Sequence, residues 1–262
     1  MNKTLIFLSL LFFACNNRHQ KGATVSAQTT QQKTVYSDSV VVKTLAFQFD
    51  LLNTLVRDNK IEKTKALKEL QRIFAALQTA YHNLNPDTVK NGKWFFPVAG
   101  YSSKAIGGTH GEGYVPNGYD YFLGNKHGGH PAHDIFIYDN NQDSKDDRTR
   151  KFVNVLSVGS GIVVALEKEW DSTSSLRGGK YIWIYAPTEN ALYYYAHNAD
   201  VFVNVGQTVN AGDTIAIVGR TGLNAFKQRS PTHLHFMKLT LDKEFYPKPD
   251  NTYQKLLNAK SQ

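Results

Sequence analysis

The chain has 262 residues, of which 41% are hydrophobic and 12% aromatic. This length and composition exclude a fibre and a wholly disordered protein, and they suit one globular domain with an appendage or two small domains. The formal net charge of +8 suits contact with an anionic polymer, but the chain has no run of five or six basic residues and no aromatic-interleaved basic motif, so nucleic acid is not a predicted partner.

Residues 1–15 are predicted to be an export signal of the bacterial lipoprotein type. Lys3 provides the positive charge, and the apolar stretch 5–14 is too short to span a bilayer. Ala14 followed by Cys15 resembles a lipobox, so Cys15 is the predicted lipidation site and would anchor the exported chain to a bacterial membrane. An ordinary secretory signal with an unrelated cysteine is the alternative. Cys15 is the only cysteine, which excludes an intramolecular disulfide and a cysteine-ligated metal site.

Residues 16–40 are predicted to form a flexible tether, because they are mostly polar and show no apolar period. A helical pattern follows over 41–90, where apolar residues recur at steps of three and four. The residues that carry this pattern are Leu45, Phe49, Leu52, Val56, Leu67, Leu70, Phe74, Leu77 and Tyr81. We expect two amphipathic helices, the second of them stopped by Asn85-Pro86-Asp87.

Two such helices in front of a further domain could have several roles. They could act as a spacer, as a dimerising hairpin or as a cover over a catalytic groove. Packing of their apolar faces against the rest of the protein is the simplest interpretation, because that is the ordinary fate of an apolar helix face.

Residues 91–250 change character to short apolar runs separated by Gly, Asn and Asp, a pattern typical of antiparallel β-domains. The candidate strands are 152–156, 161–166, 181–185, 192–197, 213–218 and 233–239. Residues 251–262 are left as a C-terminal tail.

Two histidine motifs lie in this β-rich region. Residues 130–134 read His-Pro-Ala-His-Asp, and residues 232–236 read Thr-His-Leu-His-Phe. Alternate residues of a strand share a face, so His233 and His235 are expected to face a cleft while Leu234 faces the core.

A third histidine, His197, ends a candidate strand. By the same alternation Tyr193, Tyr195 and His197 are expected to share one face. Imidazole and carboxylate groups suit zinc, which takes three protein ligands at a catalytic site and leaves the fourth position to water. The predicted zinc ligands are His130, Asp134 and His235.

Together these motifs resemble the lysostaphin-like, or LytM-type, zinc metallopeptidases, which cleave peptidoglycan. The resemblance covers residues 96–240 and rests on a His-x-x-x-Asp element, a Tyr-Ala-His strand end and a His-x-His strand, in that order. Residues 96–100 resemble the family's entry strand, and the segment 205–222 resembles its glycine-marked hairpin. The resemblance implies a mainly β catalytic domain whose antiparallel sheets form a groove, here preceded by an α-helical region, with one zinc ion per chain.

The resemblance also assigns roles to the histidines. Zinc would activate a water near neutral pH and polarise the scissile carbonyl. His197 and His233, which do not bind the metal, would act as general base and as donor to the tetrahedral oxyanion, with the division of roles left open. One position departs from the family pattern, because Ala132 and His133 stand where Gly and an aliphatic residue are usual. His133 is therefore a rival ligand, but strand alternation would turn it away from the face of Asp134.

The remaining histidines, His19, His82, His110 and His127, are predicted to be surface or core residues without a catalytic role. A separate acidic loop has the spacing of positions 1, 3, 5 and 9 of an EF-hand and could bind calcium. Its candidate ligands are Asp139, Asn141, Asp143 and Asp147. The loop lacks the expected Gly and bidentate Glu, having Ser144 and Arg150 instead, which favours a solvated acidic turn.

The predicted function is hydrolysis of peptide bonds in peptidoglycan at the periplasmic or outer side of a membrane. A non-catalytic relative that activates or scaffolds another cell-wall hydrolase is the alternative, although such relatives typically lack zinc ligands or the dyad. A biotinyl or lipoyl carrier is disfavoured because no modifiable lysine lies between hydrophobic or methionine neighbours at a hairpin tip. The sequence leaves open whether a stem cross-link, a glycine bridge or a non-wall peptide is cut.

Overall fold

The computed structural model describes residues 37–84 and 92–262. The predicted export signal with Cys15, nearly all of the tether, and the Asn85-Pro86-Asp87 stop lie outside these residues. The described part of the chain begins with two helices and continues as a β-rich domain, as expected.

Helices α1 (Asp38–Arg57) and α2 (Lys63–Leu84) form an antiparallel pair. Their apolar residues, spaced by three and four, make one buried face on each helix. Phe74 of α2 lies at the centre of this packing, with its ring 4.9 Å from Phe49 of α1 and 4.6 Å from Tyr185 in the sheet below. The helices are thus part of the domain core.

α1 is also long and apolar enough to cross a membrane by length and composition. Its buried residues include Leu45, Phe49 and Val56, which share one cluster with residues of the sheet. A core helix that buries one apolar face satisfies the same criterion, and the packing accounts for the composition of α1.

The β-domain contains two antiparallel sheets and a short C-terminal helix. The strands are β1 (Ala132–Phe136), β2 (Asn154–Leu156), β3 (Gly161–Glu167), β4 (Lys180–Ala186), β5 (Ala191–Asn198), β6 (Asp200–Val201), β7 (Thr208–Val209), β8 (Thr214–Ile217), β9 (His233–Leu241) and β10 (Pro247–Asp250), and the helix is α3 (Tyr253–Leu257). The larger sheet has the order β1-β9-β5-β4-β3-β7, with β10 pairing on β9, and the smaller sheet has the order β2-β8-β6.

The larger sheet separates two hydrophobic clusters. One face packs against α1 and α2, and the other face packs against the smaller sheet and the segment around Trp94. In β9 the residues Met237, Leu239 and Leu241 belong to the helix-side cluster. Because strand residues alternate, His233 and His235 face the same side as Met237. The helices therefore cover one half of a sheet face whose other half carries the histidines.

Two expectations about local structure are corrected. The glycine-marked segment 205–222 is not a hairpin of two paired strands, because β7 pairs with β3 in the larger sheet while β8 pairs with β2 and β6 in the smaller one. Residues 96–100 do not form a continuous strand, and Val98 makes only an isolated bridge to Val155. The segment 205–222 therefore crosses from the larger sheet to the smaller one.

The C-terminal residues 251–262 pack onto the β-domain. Leu256 of α3 is buried. The backbone of Lys260 makes hydrogen bonds of 2.7 Å in both directions, to the N–H of Phe96 and to the carbonyl of Trp94. The C-terminal segment is thus hydrogen-bonded to the first residues of the β-domain.

Candidate active site

The pairing of β1 with β9 brings two of the predicted ligands together. Asp134 lies directly opposite His235, and residues opposite each other in an antiparallel pair point to the same face. Oδ1 of Asp134 is 3.0 Å from Nδ1 of His235. The contact between two distant motifs is therefore a consequence of strand register.

His130 joins this pair from the loop before β1. Its Nε2 is 3.2 Å from Oδ1 of Asp134, and its ring centroid is 4.8 Å from that of His235. Its Nδ1 is 2.7 Å from the carbonyl oxygen of Gly113, which can only accept a hydrogen bond. We infer that the proton of the neutral ring lies on Nδ1, so the lone pair on Nε2 faces the carboxylate.

His130, Asp134 and His235 form a group whose potential ligand atoms all lie within 4.8 Å of one another. Among the described residues, no other group of His, Cys, Asp or Glu has this arrangement. The imidazole lone pair of His130 meets a carboxylate oxygen, and two acceptors at this distance need a proton or a cation between them. Two nitrogens and one oxygen are a donor set that zinc accepts, so these residues fit the metal.

His233 lies beside this group and on the same face of β9 as His235. Its Nε2 is 3.8 Å from Oδ1 of Asp134, and its Nδ1 is 2.7 Å from the carbonyl oxygen of Pro231. That carbonyl holds the proton on Nδ1, which leaves Nε2 as an acceptor directed at the group. Leu234 is fully buried on the other face, as strand alternation predicts.

His197 reaches the same cleft by a route that strand alternation does not predict. Tyr193 and Tyr195 are buried in the cluster on the opposite face, so the expected shared face of Tyr193, Tyr195 and His197 is wrong. The pairing of β5 with β4 shifts register at this point, and His197 has a φ of +68°. This β-bulge re-aims the side chain toward the cleft.

The bulge places His197 next to the other histidines. Its ring centroid is 4.9 Å from that of His233 and 5.5 Å from that of His235. Its Nδ1 is 2.8 Å from the carbonyl oxygen of Thr221, so the neutral ring carries its proton there and offers Nε2 to the cleft. All five residues singled out from the sequence are thus gathered in one place.

The electrostatic environment differs among these groups. Burial would raise the pKa of Asp134, but the adjacent imidazoles of His130 and His235 outweigh it and hold this pKa well below its ordinary value. Burial, together with the neighbouring His233 and His235, lowers the pKa of His197 well below its ordinary value. Burial likewise lowers the pKa of His235. His197 is therefore neutral at physiological pH, with a lone pair on Nε2.

His133 lies on the opposite side of β1 from Asp134. It is buried, with Nε2 at 3.1 Å from Oδ1 of Asn251 and with its ring stacked against Tyr114. Its position opposite Phe236 in the register places it away from His235. Within the described part of the chain, the contacts of His133 are thus packing contacts away from the candidate metal ligands.

The cleft around these residues has a volume of about 260 Å³. Its walls include residues for which the sequence offered no signal. The main ones are Tyr119, His127, Arg177, Tyr194 and Asn224. His127, predicted to be a surface or core residue, lies in the wall of the cleft, while His82 and His110 are exposed. Arg177 lies in a loop that carries no recognisable motif. Its place in the cleft depends on how strands far apart in the chain pack together, so the sequence alone could not predict it.

The calcium interpretation finds no support. The oxygens of Asp139 accept hydrogen bonds from the backbone N–H groups of Asp143 and Ser144, at 3.0 and 2.8 Å. Asp139 also accepts from the hydroxyl of Thr232 at 2.6 Å. Asp147 accepts from the backbone N–H of Asn140 at 2.9 Å. These contacts are those of an acidic turn that caps its own backbone.

Residues 144–247 match the family model of Peptidase family M23. This segment of the chain is similar to peptidase family M23. The matched range includes His197, His233 and His235, and it begins after His130 and Asp134. No curated protein matches the chain.

Several solved structures are similar to this chain. A zinc-containing peptidase from Vibrio cholerae matches with a TM-score of 0.40 and 22% identity, over 65% of this chain and 41% of that one. A putative glycyl-glycine endopeptidase LytM from Ruminococcus gnavus ATCC 29149 matches with a TM-score of 0.43 and 21% identity, over 87% and 89% of the two chains. Lysostaphin from Staphylococcus simulans matches with a TM-score of 0.35 and 22% identity, over 57% and 50%.

Proposed function

We propose that this protein is a zinc-dependent endopeptidase that hydrolyses peptide bonds in peptidoglycan. The observation that supports it most strongly is the gathering of five side chains around one point: three potential ligands with atoms within 4.8 Å, and two further imidazoles beside them. The similarity of residues 144–247 to a peptidase family supports the reaction class.

His130, Asp134 and His235 would hold the zinc ion. When bound, zinc lowers the pKa of a water to about 7 and polarises a carbonyl, which supplies a nucleophile and an electrophile near neutral pH. The carbonyl of Gly113 orients the ring of His130, as backbone carbonyls commonly do for metal-binding histidines.

His197 and His233 would move protons during the reaction. In each of them Nδ1 lies against a backbone carbonyl oxygen, and Nε2 faces the cleft. Nε2 of one histidine would take a proton from the attacking water, and the ring protonated in this way could pass that proton to the leaving amine. The other histidine would donate a hydrogen bond to the developing oxyanion in the form that carries a proton on Nε2 as well as on Nδ1. Fixing both rings through backbone carbonyls keeps these atoms in place without further ordering when substrate binds.

The proposed location and substrate are supported by features of the sequence. The predicted export signal and Cys15 would place the enzyme outside the cytoplasm on a lipid anchor. The formal charge of +8 suits attraction to the acidic components of a cell wall. The polar residues of the predicted tether would allow the domain to reach the wall from the membrane.

Digestion of purified wall sacculi tests the proposal. The zinc-loaded protein should release muropeptides that mass spectrometry identifies. His235→Ala should lose both bound zinc and product, whereas His233→Ala should keep zinc and lose product. His82→Ala, which removes an exposed histidine on α2, serves as the matched control and should behave like the parent chain.

Two results would contradict the proposal. Unchanged products from both active-site variants would remove the assigned roles. A purified protein without stoichiometric zinc and without product would favour the alternative of a non-catalytic activator or scaffold for another cell-wall hydrolase.

A further inference from the structure

One guanidinium lines the active-site cleft. Arg177 is half-buried, and it is the only Arg or Lys among the described residues that form the walls of this cleft. The only carboxylate in the same walls is that of Asp134, which is engaged by His130 and His235. The cleft therefore presents one positive charge that its own residues do not neutralise.

The guanidinium of Arg177 uses one of its N–H donors within the described part of the chain. Nη1 of Arg177 donates to the carbonyl oxygen of His127 at 2.7 Å. Across residues 37–84 and 92–262, no carboxylate lies within 4.0 Å of this side chain, and its other N–H groups have no partner. A half-buried arginine ordinarily pairs with a carboxylate, because its desolvation is otherwise uncompensated. An arginine left in this state within a cleft is suited to an anionic ligand.

The backbone around Arg177 is fixed to the segment that carries His197. The N–H of His197 donates to the carbonyl of Gly178, and the N–H of Leu223 donates to the carbonyl of Leu176, each at 2.9 Å. A Cβ on Gly222 would clash with the carbonyl oxygen of Arg177, which shows how closely the two segments pack. Arg177 is thus held in register with the proposed catalytic histidines, and this preorganisation lowers the entropic cost of binding.

We propose that Arg177 binds a free carboxylate of the substrate peptide close to the scissile bond. This inference rests on the proposed function and narrows it to peptides that carry a carboxylate beside the cleaved bond. Guanidinium binds carboxylate through two parallel hydrogen bonds, which gives geometric selectivity as well as affinity. A stem cross-link offers such groups, whereas a glycine bridge does not. Arg177 would thereby favour the stem cross-link.

The test compares one cross-linked muropeptide with the same compound after amidation of its free carboxylates. With the zinc-loaded full chain, kcat and KM are measured separately for both forms. The acid form should have a kcat/KM about 10- to 100-fold higher, as expected for a hydrogen-bonded charge pair. Arg177→Gln, which keeps a donor for the carbonyl of His127, should lose this preference and leave turnover of the amidated form within about threefold. Arg229→Gln removes an exposed positive charge outside the cleft and should retain the preference.

Equal cleavage of both forms by the parent chain would overturn the inference, and so would an equal loss on both forms in Arg177→Gln. Binding of both forms to the zinc-loaded His233→Ala variant, measured by calorimetry, separates the inference from the proposed function. Preferential binding of the acid form without any cleavage by the parent chain would reject the proposed function and support the carboxylate site. Cleavage of both forms without preference would support the proposed function and reject the carboxylate site. Absence of both cleavage and preferential binding would reject the proposed function and the carboxylate site together.

Discussion

Substitution of Gly222 by Ala tests whether the position of His197 controls the active site. Gly222 has a φ of +114°, which an L-residue rarely adopts. A Cβ at this position would lie 2.8 Å from Nδ1 of His197, and it would clash with the carbonyl oxygen of Arg177. The same Nδ1 donates to the carbonyl of Thr221. Gly222→Ala should therefore push the imidazole off its hydrogen bond and away from His233.

Two costs contribute to the expected loss of stability. Backbone strain at positive φ costs about 1–2 kcal/mol. Overpacking against fixed backbone costs about 1–3 kcal/mol more. The sum corresponds to a fall in Tm on the order of 10 °C for a domain of this size. A displacement of His197 by about 1 Å would also lower kcat on the order of 100-fold.

Gly100→Ala is the matched control. Gly100 also has positive φ, +74°, but a Cβ there would meet no atom within 4 Å. This variant should show the backbone strain without the clash, with a smaller loss of Tm and with unchanged activity. Thermal unfolding and muropeptide release are measured on both variants. If Gly222→Ala matches Gly100→Ala in Tm and in kcat, the reasoning about the bulge is refuted.

Three further predictions concern the packing and the charges. Burial would raise the pKa of Glu189, but hydrogen bonds from Lys255 and Trp94 and the charge of Lys238 lower this pKa to about 2. The ionised carboxylate therefore contributes its full stabilisation above about pH 4.5, and this contribution is lost as the pH falls toward 2. Glu189→Gln should cost about 2–3 kcal/mol at pH 7 and flatten the dependence of Tm on pH in that interval, and parallel curves for the two proteins would contradict this. His133→Phe should lower Tm through loss of the bond to Asn251 yet keep full zinc content by metal analysis, whereas loss of zinc would make His133 a ligand. Phe74→Ala should cost about 3–5 kcal/mol in denaturant unfolding while Phe47→Ala, at an exposed position of α1, should cost little; equal effects would argue against packing of the helices on the sheet.

The placement of the two site histidines on β9 was predictable from sequence. Period-two alternation depends only on the extended backbone, so His233 and His235 had to share a face and Leu234 had to face the other way. The same rule turned His133 away from Asp134, as the structure shows. Local geometry was sufficient in each case because no irregularity interrupts these strands at those residues.

The same rule failed at His197, and the reason is physical. A β-bulge inserts one residue into β5 relative to β4, and positive φ at His197 then reverses the side expected from counting. The bulge depends on contacts with Gly178 and Thr221, which lie far along the chain. Alternation within one strand carries no information about them.

By itself the sequence determined the two N-terminal helices and the β-rich character of the region after them, the residue types capable of holding zinc, and the faces of β1 and β9. Propensity, spacing and strand alternation are properties of neighbouring residues, which is why they could be predicted. Only the tertiary structure decided that the helices cover the other half of the histidine-bearing sheet face, that His127 and Arg177 line the cleft, and that His197 is turned into it. These outcomes depend on register and packing between segments far apart in the chain, where the free energy of each contact is set by its partner.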